Sequence, residues 1–160
     1  KKRNHLNAFL KDYEGRYRYS KLTCDNTDEI LEFLDRWNQE KDSEDRFNRL
    51  ENEKIGVQLV LDNCHYLEKQ IAGVYVDGVL EAFTIGSYSR DLNLANIHIE
   101  KANPEIRGLY NYINQQFLVN AYPDVELVNR EDDMGLEGLR RAKQAYRPIE
   151  MVEKYTIKQK

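Results

Sequence analysis

Apolar positions near the start of the chain recur at helical spacing. Leu6, Phe9, Leu10 and Tyr13 fall at i, i+3, i+4 and i+7, which predicts an amphipathic helix. Tyr17 to Leu22 alternates as a short strand does. Asn26 or Thr27 then caps a helix whose Ile30, Phe33, Leu34 and Trp37 share one face, with Asp28 and Glu29 well placed in its first turn. The charged stretch Gln39 to Asp45 breaks that helix. Ser43 offers a new cap, and Phe47, Leu50, Val57 and Leu61 mark a further helix, with Gly56 a weak point inside it.

At residue 70 the period changes from 3.6 to 2. Gln70 to Val76 and Val79 to Ile85 flank Asp77-Gly78, a strong signal for a two-residue hairpin turn. Leu92 to Glu100 predicts a third strand, with Ala95, Ile97 and Ile99 on one face and Asn96, His98 and Glu100 on the other. A helix from about Glu105 to Ala121 buries Ile106, Leu109, Tyr110, Ile113 and Phe117, and Pro123 ends it. Val125 to Val128 predicts a short strand and Asn129 to Asp133 a charged loop. Leu136 to Tyr146 follows as a helix, and Pro148 to Ile157 as a final strand.

This order is helices first, then a β-hairpin followed by β, α, β, α, β. The helix between Leu92–Glu100 and Val125–Val128 implies a parallel crossover, while the hairpin before it must be antiparallel. The predicted class is therefore α/β (α+β) with a mixed sheet and flanking helices, an arrangement that resembles the GNAT-type acyltransferase fold.

Composition narrows the function. In 160 residues, 41% are hydrophobic and 32% charged, the balance of a globular domain able to bury a core. A net charge of −4 argues against a dedicated nucleic-acid binder, although it leaves room for a local basic patch. No run approaches the roughly 20 apolar residues a membrane span needs, and no signal peptide opens the chain. Cys24 and Cys64 lack CxxC spacing and are expected as reduced thiols in a cytoplasmic protein. The chain opens Lys1-Lys2-Arg3 and runs directly into a helix, as a segment cut from a longer protein would.

The stretch from Asn129 through Arg130, Glu131, Asp132, Asp133, Met134, Gly135 and Leu136 to Arg140, Arg141, Lys143, Tyr146, Arg147 and Pro148 resembles the closing motif of a bacterial family of unknown function. That family is similar to the C-terminal domain of phosphatidylglycerol lysyltransferases. Lys2-Arg3-Asn4-His5-Leu6-Asn7 fits its linker helix. The resemblance implies a tandem pair of GNAT-like domains. Residues 1–160 would form the second, with 1–14 the linker from an N-terminal half that is its partner. It further implies an aminoacyl-tRNA or acyl-CoA co-substrate rather than a tightly bound cofactor, and tRNA as a partner.

The loop where CoA enzymes cradle pyrophosphate reads Glu100-Lys101-Ala102-Asn103-Pro104-Glu105-Ile106-Arg107-Gly108. It holds one glycine, a proline without an N–H, and two carboxylates, a poor set for phosphate. His98 and Glu100 are candidate catalytic residues as a base pair on a central strand, or else part of a half-solvated face. Tyr146 is a candidate proton donor to a leaving group, or a packing residue after Leu139. Asn96, Arg107, Tyr110, Asn129, Glu131 and Asp132 are the expected substrate-binding set. They follow or flank the strand ends where open α/β sheets hold ligands, although Glu131 and Asp132 could equally serve a helix dipole. Arg140, Arg141, Lys143 and Arg147 are the candidate phosphate or tRNA contacts, against a merely solvated face. His5 and His65 have no metal-ligand spacing, so no metal is expected.

Overall fold

The computed structural model describes residues 2–39, 44–155 and 157–158, with 44–48 described by backbone alone. The expected cap at Ser43 and the Phe47 side chain lie outside the described residues. Two compact units divide the chain, Lys1–Asn129 and Arg130–Lys160.

The first unit carries α1 (Lys2–Asp12), β1 (Tyr17–Leu22), a 3-10 turn at Cys24–Asn26, α2 (Thr27–Gln39), α3 (Glu44–Asp62), β2 (Gln70–Val76), β3 (Val79–Ser89), β4 (Leu94–Ala102), α4 (Leu109–Ala121) and β5 (Leu127–Asn129). Five strands form one sheet in the order β1-β2-β3-β4-β5. The pairs β1–β2, β2–β3 and β3–β4 are antiparallel and β4–β5 is parallel, so the mixed sheet predicted from the sequence is present. The hairpin turns at Asp77-Gly78, whose φ values of 51° and 84° are the left-handed pair a two-residue turn of this hand requires.

Both sheet faces are covered. Ile30, Phe33, Leu34 and Trp37 of α2 and Val57 and Leu61 of α3 pack on Ile71, Phe83 and Ile85. On the other face, Phe9 of α1 and Leu109, Tyr112 and Ile113 of α4 pack on Val74, Val76, Ala82 and Ala102. Helix α1, expected as a linker, is seated on this core: a Cβ at Gly108 would lie 2.1 Å from the carbonyl oxygen of His5. That approach and a φ of 87° leave glycine as the fitting residue there.

Several expectations are corrected. Helix α4 begins at Leu109 rather than Glu105, because Pro104 interrupts the backbone and Asn103 holds a turn, its side-chain oxygen accepting from the Glu105 amide at 2.9 Å. Strand β5 starts at Leu127 rather than Val125, whose amide instead closes a turn on Tyr122. Cys24 and Cys64 are not separate thiols but a disulfide, their Cα atoms 5.7 Å apart. A separation of 40 residues concealed that the 3-10 turn and the end of α3 meet.

In the second unit, α5 spans Glu137–Gln144. The final strand expected over Pro148 to Ile157 is absent among the described residues. Its alternation has no burial to reward it, since Ile149, Val152 and Ile157 are 89%, 78% and 95% exposed.

Candidate functional site

The regular alternation expected along β4 fails at one residue, and the site is built around that failure. Ile97 pairs with Gly86 and Ile99 with Ile85, so His98 is the extra residue of a β-bulge. Before the bulge, Ala95 and Ile97 pack with Phe117 of α4. After it, Ile99 packs against the α2–α3 core, and Glu100 turns to α4, where Asn114 Nδ2 donates to its carboxylate at 2.9 Å. The three polar positions expected on one face are thus divided. Gly86 permits the arrangement, because a Cβ there would meet the Asn96 carbonyl oxygen at 2.7 Å and Phe117 at 2.9 Å.

The bulge exposes His98 and aims it into a cleft of about 530 Å³ between α3 and the sheet. Val57, Val60, Ile85 and Ile99 form its apolar floor, and Glu53, Glu68, Lys69, Ser87 and His98 supply polar groups. His98 Nε2 and Ser87 Oγ are 2.8 Å apart, which fixes the imidazole plane. Ser87 was not among the residues singled out from the sequence, because β3 was expected to stop at Ile85. It runs on to Ser89.

A second missed group lies beside the cleft. Lys101 is 9% exposed, and its ammonium sits 2.6 Å from Glu53 Oε1 and 3.8 Å from the Trp37 ring centroid. Trp37 Nε1 donates to the Ala102 carbonyl at 2.9 Å. This buried charge is doubly compensated, by the carboxylate and by the ring face. Lys101 was missed because the strand was expected to end at Glu100, whereas β4 runs on to Ala102.

The parallel ladder is short: Leu94↔Leu127, Ala95↔Val128 and Asn96↔Asn129. Beyond it β4 continues to Ala102 with no β5 partner, as in a sheet that splays. Two expected ligand residues meet at that fork, Asn129 Nδ2 donating to Asn96 Oδ1 at 3.1 Å. Arg107 is exposed in the following loop. Tyr110 is largely buried, which raises its phenol above the ordinary tyrosine value. Three amides of this loop are engaged: Glu105 N donates to the Asn103 side chain, Ile106 N to Asn103 O and Leu109 N to Ile106 O. Pro104 has none to give.

The remaining candidates lie in the Arg130–Lys160 unit. Lys143 Nζ donates to the carbonyls of Arg130, Glu131 and Asp132, at 2.8 Å for Glu131 and 2.6 Å for Asp132, and burial lowers its pKa. Arg140 Nε reaches Asp133 Oδ2 at 2.6 Å, and Arg141 pairs with Glu137 one turn away. Arg147 is exposed with φ 56°. Three of the four cations expected to meet phosphate therefore hold this unit's own loop and helix. The Arg140 guanidinium and the Gly135 amide keep the Asp133 carboxyl below the usual carboxylate range. Lys154 and the Met134 amide do the same for Asp132. Arg130 stacks over the Tyr146 ring at 4.5 Å. Among the described residues no helix is long and apolar enough to cross a membrane.

Comparison with solved structures gives the same fold. A conserved protein of unknown function from Bacteroides thetaiotaomicron is 34% identical, with a TM-score of 0.80 over 94% of this chain and 50% of that one. A ribosomal-protein-alanine N-acetyltransferase from Brucella melitensis biovar Abortus aligns over 89% of this chain and 99% of its own, at 13% identity and a TM-score of 0.62. At that identity it shows the GNAT fold alone. An uncharacterised protein of Mycoplasmoides gallisepticum is 29% identical over 159 residues, 99% of this chain and 50% of that protein. The chain thus spans half the length of the curated relative it matches. The family model described as phosphatidylglycerol lysyltransferase, C-terminal, matches residues 1–158, and the chain belongs to that family.

Proposed function

We propose that this chain is an acyltransferase or aminoacyltransferase domain. It would move an acyl or aminoacyl group from an activated ester to an amine or hydroxyl acceptor by direct attack. The observation that carries the reading is the bulge that turns His98 into the cleft with its ring held by Ser87. The acceptor would lie on the apolar floor and give its proton to the imidazole as it adds to the ester carbonyl. The carbon–oxygen bond of the ester then breaks, and the leaving alcohol takes up a proton. Water is the proposed source of that proton, and Asn96 and Asn129 the proposed hold on the substrate. Aminoacyl-tRNA is favoured over acyl-CoA because the loop before α4 has three of its amides engaged and a proline in place. Both donors are cytoplasmic, which supports a cytoplasmic site of action. An N-terminal GNAT-like half is the proposed partner, supported by relatives twice this length.

The same closed loop favours a second reading, a GNAT-shaped domain that binds a ligand without catalysis. Mass spectrometry of molecules co-purifying with the full-length protein separates the two. An aminoacyl-tRNA supports the first reading, and a CoA ester would overturn the donor preference. A bound small molecule that is never turned over supports the second.

A further inference from the structure

We propose that Cys24 and Cys64 form a thiol–disulfide modification site, reducible by a dithiol, whose state sets the mobility of one wall of the cleft. Leu67, Glu68 and Lys69 make that wall. They belong to the connection from α3 to β2, whose residues 63–69 bury a single side chain, Cys64 at 1% exposure. Tyr66 is 88% and Leu67 44% exposed, so apolar packing contributes little to holding the segment. Besides turn hydrogen bonds from Asn63, Cys64 and Tyr66, what holds it is the bond from Cys64 to Cys24 and the Lys69 ammonium, which donates to the carbonyls of Cys64 and Leu67. A segment with so few buried contacts sits at the low end of local stability once a tether is cut.

The same lysine makes the bond chemically asymmetric. Lys69 Nζ lies 4.0 Å from Cys24 Sγ, and Cys24 is only half-buried, whereas Cys64 is closed to solvent. A thiolate of the dithiol attacks the accessible Cys24 sulfur. The Cys24–Cys64 bond breaks, and the Cys64 sulfur leaves with the electron pair and takes a proton from water. The second thiol of the reductant, as thiolate, then attacks its own sulfur in the mixed disulfide. Cys24 is released as a thiolate beside the ammonium, which stabilises the negative charge. The protein gains two electrons and one proton, carried by Cys64, while the dithiol becomes a disulfide and its other proton is left in water.

The test is hydrogen–deuterium exchange and imidazole NMR on the full-length protein, oxidised and then reduced with dithiothreitol. Reduction is expected to speed amide exchange over residues 63–69 by about ten-fold or more and to move the His98 resonances, while residues 109–117 of α4 keep their protection. The Cys24→Ala, Cys64→Ala double variant should reproduce the reduced pattern without reagent. Lys69→Gln should slow reduction several-fold. Free alkylation of both cysteines in air-oxidised protein would overturn the proposal. So would identical exchange in the two states, or equal loss of protection in α4, which would make the bond a general staple.

Discussion

Ser87 Oγ and His98 Nε2 stand 2.8 Å apart across an irregularity in the β3–β4 ladder, joining two residues eleven positions apart in sequence. The contact fixes an imidazole that the bulge has already turned out of the ladder's alternation.

Replacing His98 therefore separates activity from stability. His98→Ala is expected to lower the transfer rate by about 100-fold to 10,000-fold. Its exposed position keeps the loss of stability within about 0.5 kcal/mol. Steady-state kinetics alongside urea unfolding checks both halves. A variant with native activity would remove His98 as the base.

Gly86→Ala should act in the opposite way. The added Cβ meets backbone at 2.7 Å and a buried ring at 2.9 Å, contacts that a flexible side chain cannot relieve. A destabilisation of about 1–3 kcal/mol is expected, read as a lower urea midpoint. An unchanged midpoint would show that the bulge tolerates a wider spacing.

Acid should loosen the Arg130–Lys160 unit in a defined window. The Asp132 and Asp133 carboxyls are held below their ordinary value, so their contribution is complete above about pH 4, the unfolded carboxylate range. It is lost as pH falls through the depressed native values. Exchange over residues 130–146 should rise below that point, and Arg140→Gln should move the onset to higher pH. An onset that the variant leaves unmoved would dissociate Asp133 from the transition.

Coenzyme A is expected to bind weakly. At millimolar CoA the unfolding temperature should rise by less than about 1 °C, since a ligand that barely populates its complex barely stabilises it. A rise of several degrees would show that the loop before α4 opens to admit phosphate.

The helices and the hairpin were legible because each rests on local signals: the stripe of Ile30, Phe33, Leu34 and Trp37, or the Asp77-Gly78 pair that admits left-handed backbone. The bulge was not, because counting alternate residues assumes that every residue advances the strand by one step. His98 does not, and everything after it changes face. Glu100 was misplaced for that reason, and Lys101 because the strand was expected to end one residue before it. The disulfide escaped because nothing local to Cys24 or Cys64 records that the chain brings them together. The last strand was over-read, since Ile149, Val152 and Ile157 carry the right period but are left exposed. Of the residues lining the cleft, His98 was among those singled out from the sequence. Ser87, Glu53 and Lys69 were not, since they reach the cleft only through tertiary packing.

The indole clamped between a lysine ammonium and the end of β4 makes the protein its own optical probe. Trp37 is the chain's one tryptophan, so all of its indole emission comes from a ring with a cation 3.8 Å from its centre and its N–H tied to Ala102. Lys101 of that cation belongs to the same strand as His98, and its partner Glu53 lines the cleft. Any occupant that displaces Glu53, or any shift of β4 along its axis, changes the field across the indole and hence the colour and intensity of its emission. Occupancy of the cleft can thus be followed in unlabelled protein, before its substrate is known, by titrating candidate molecules and watching a single fluorophore.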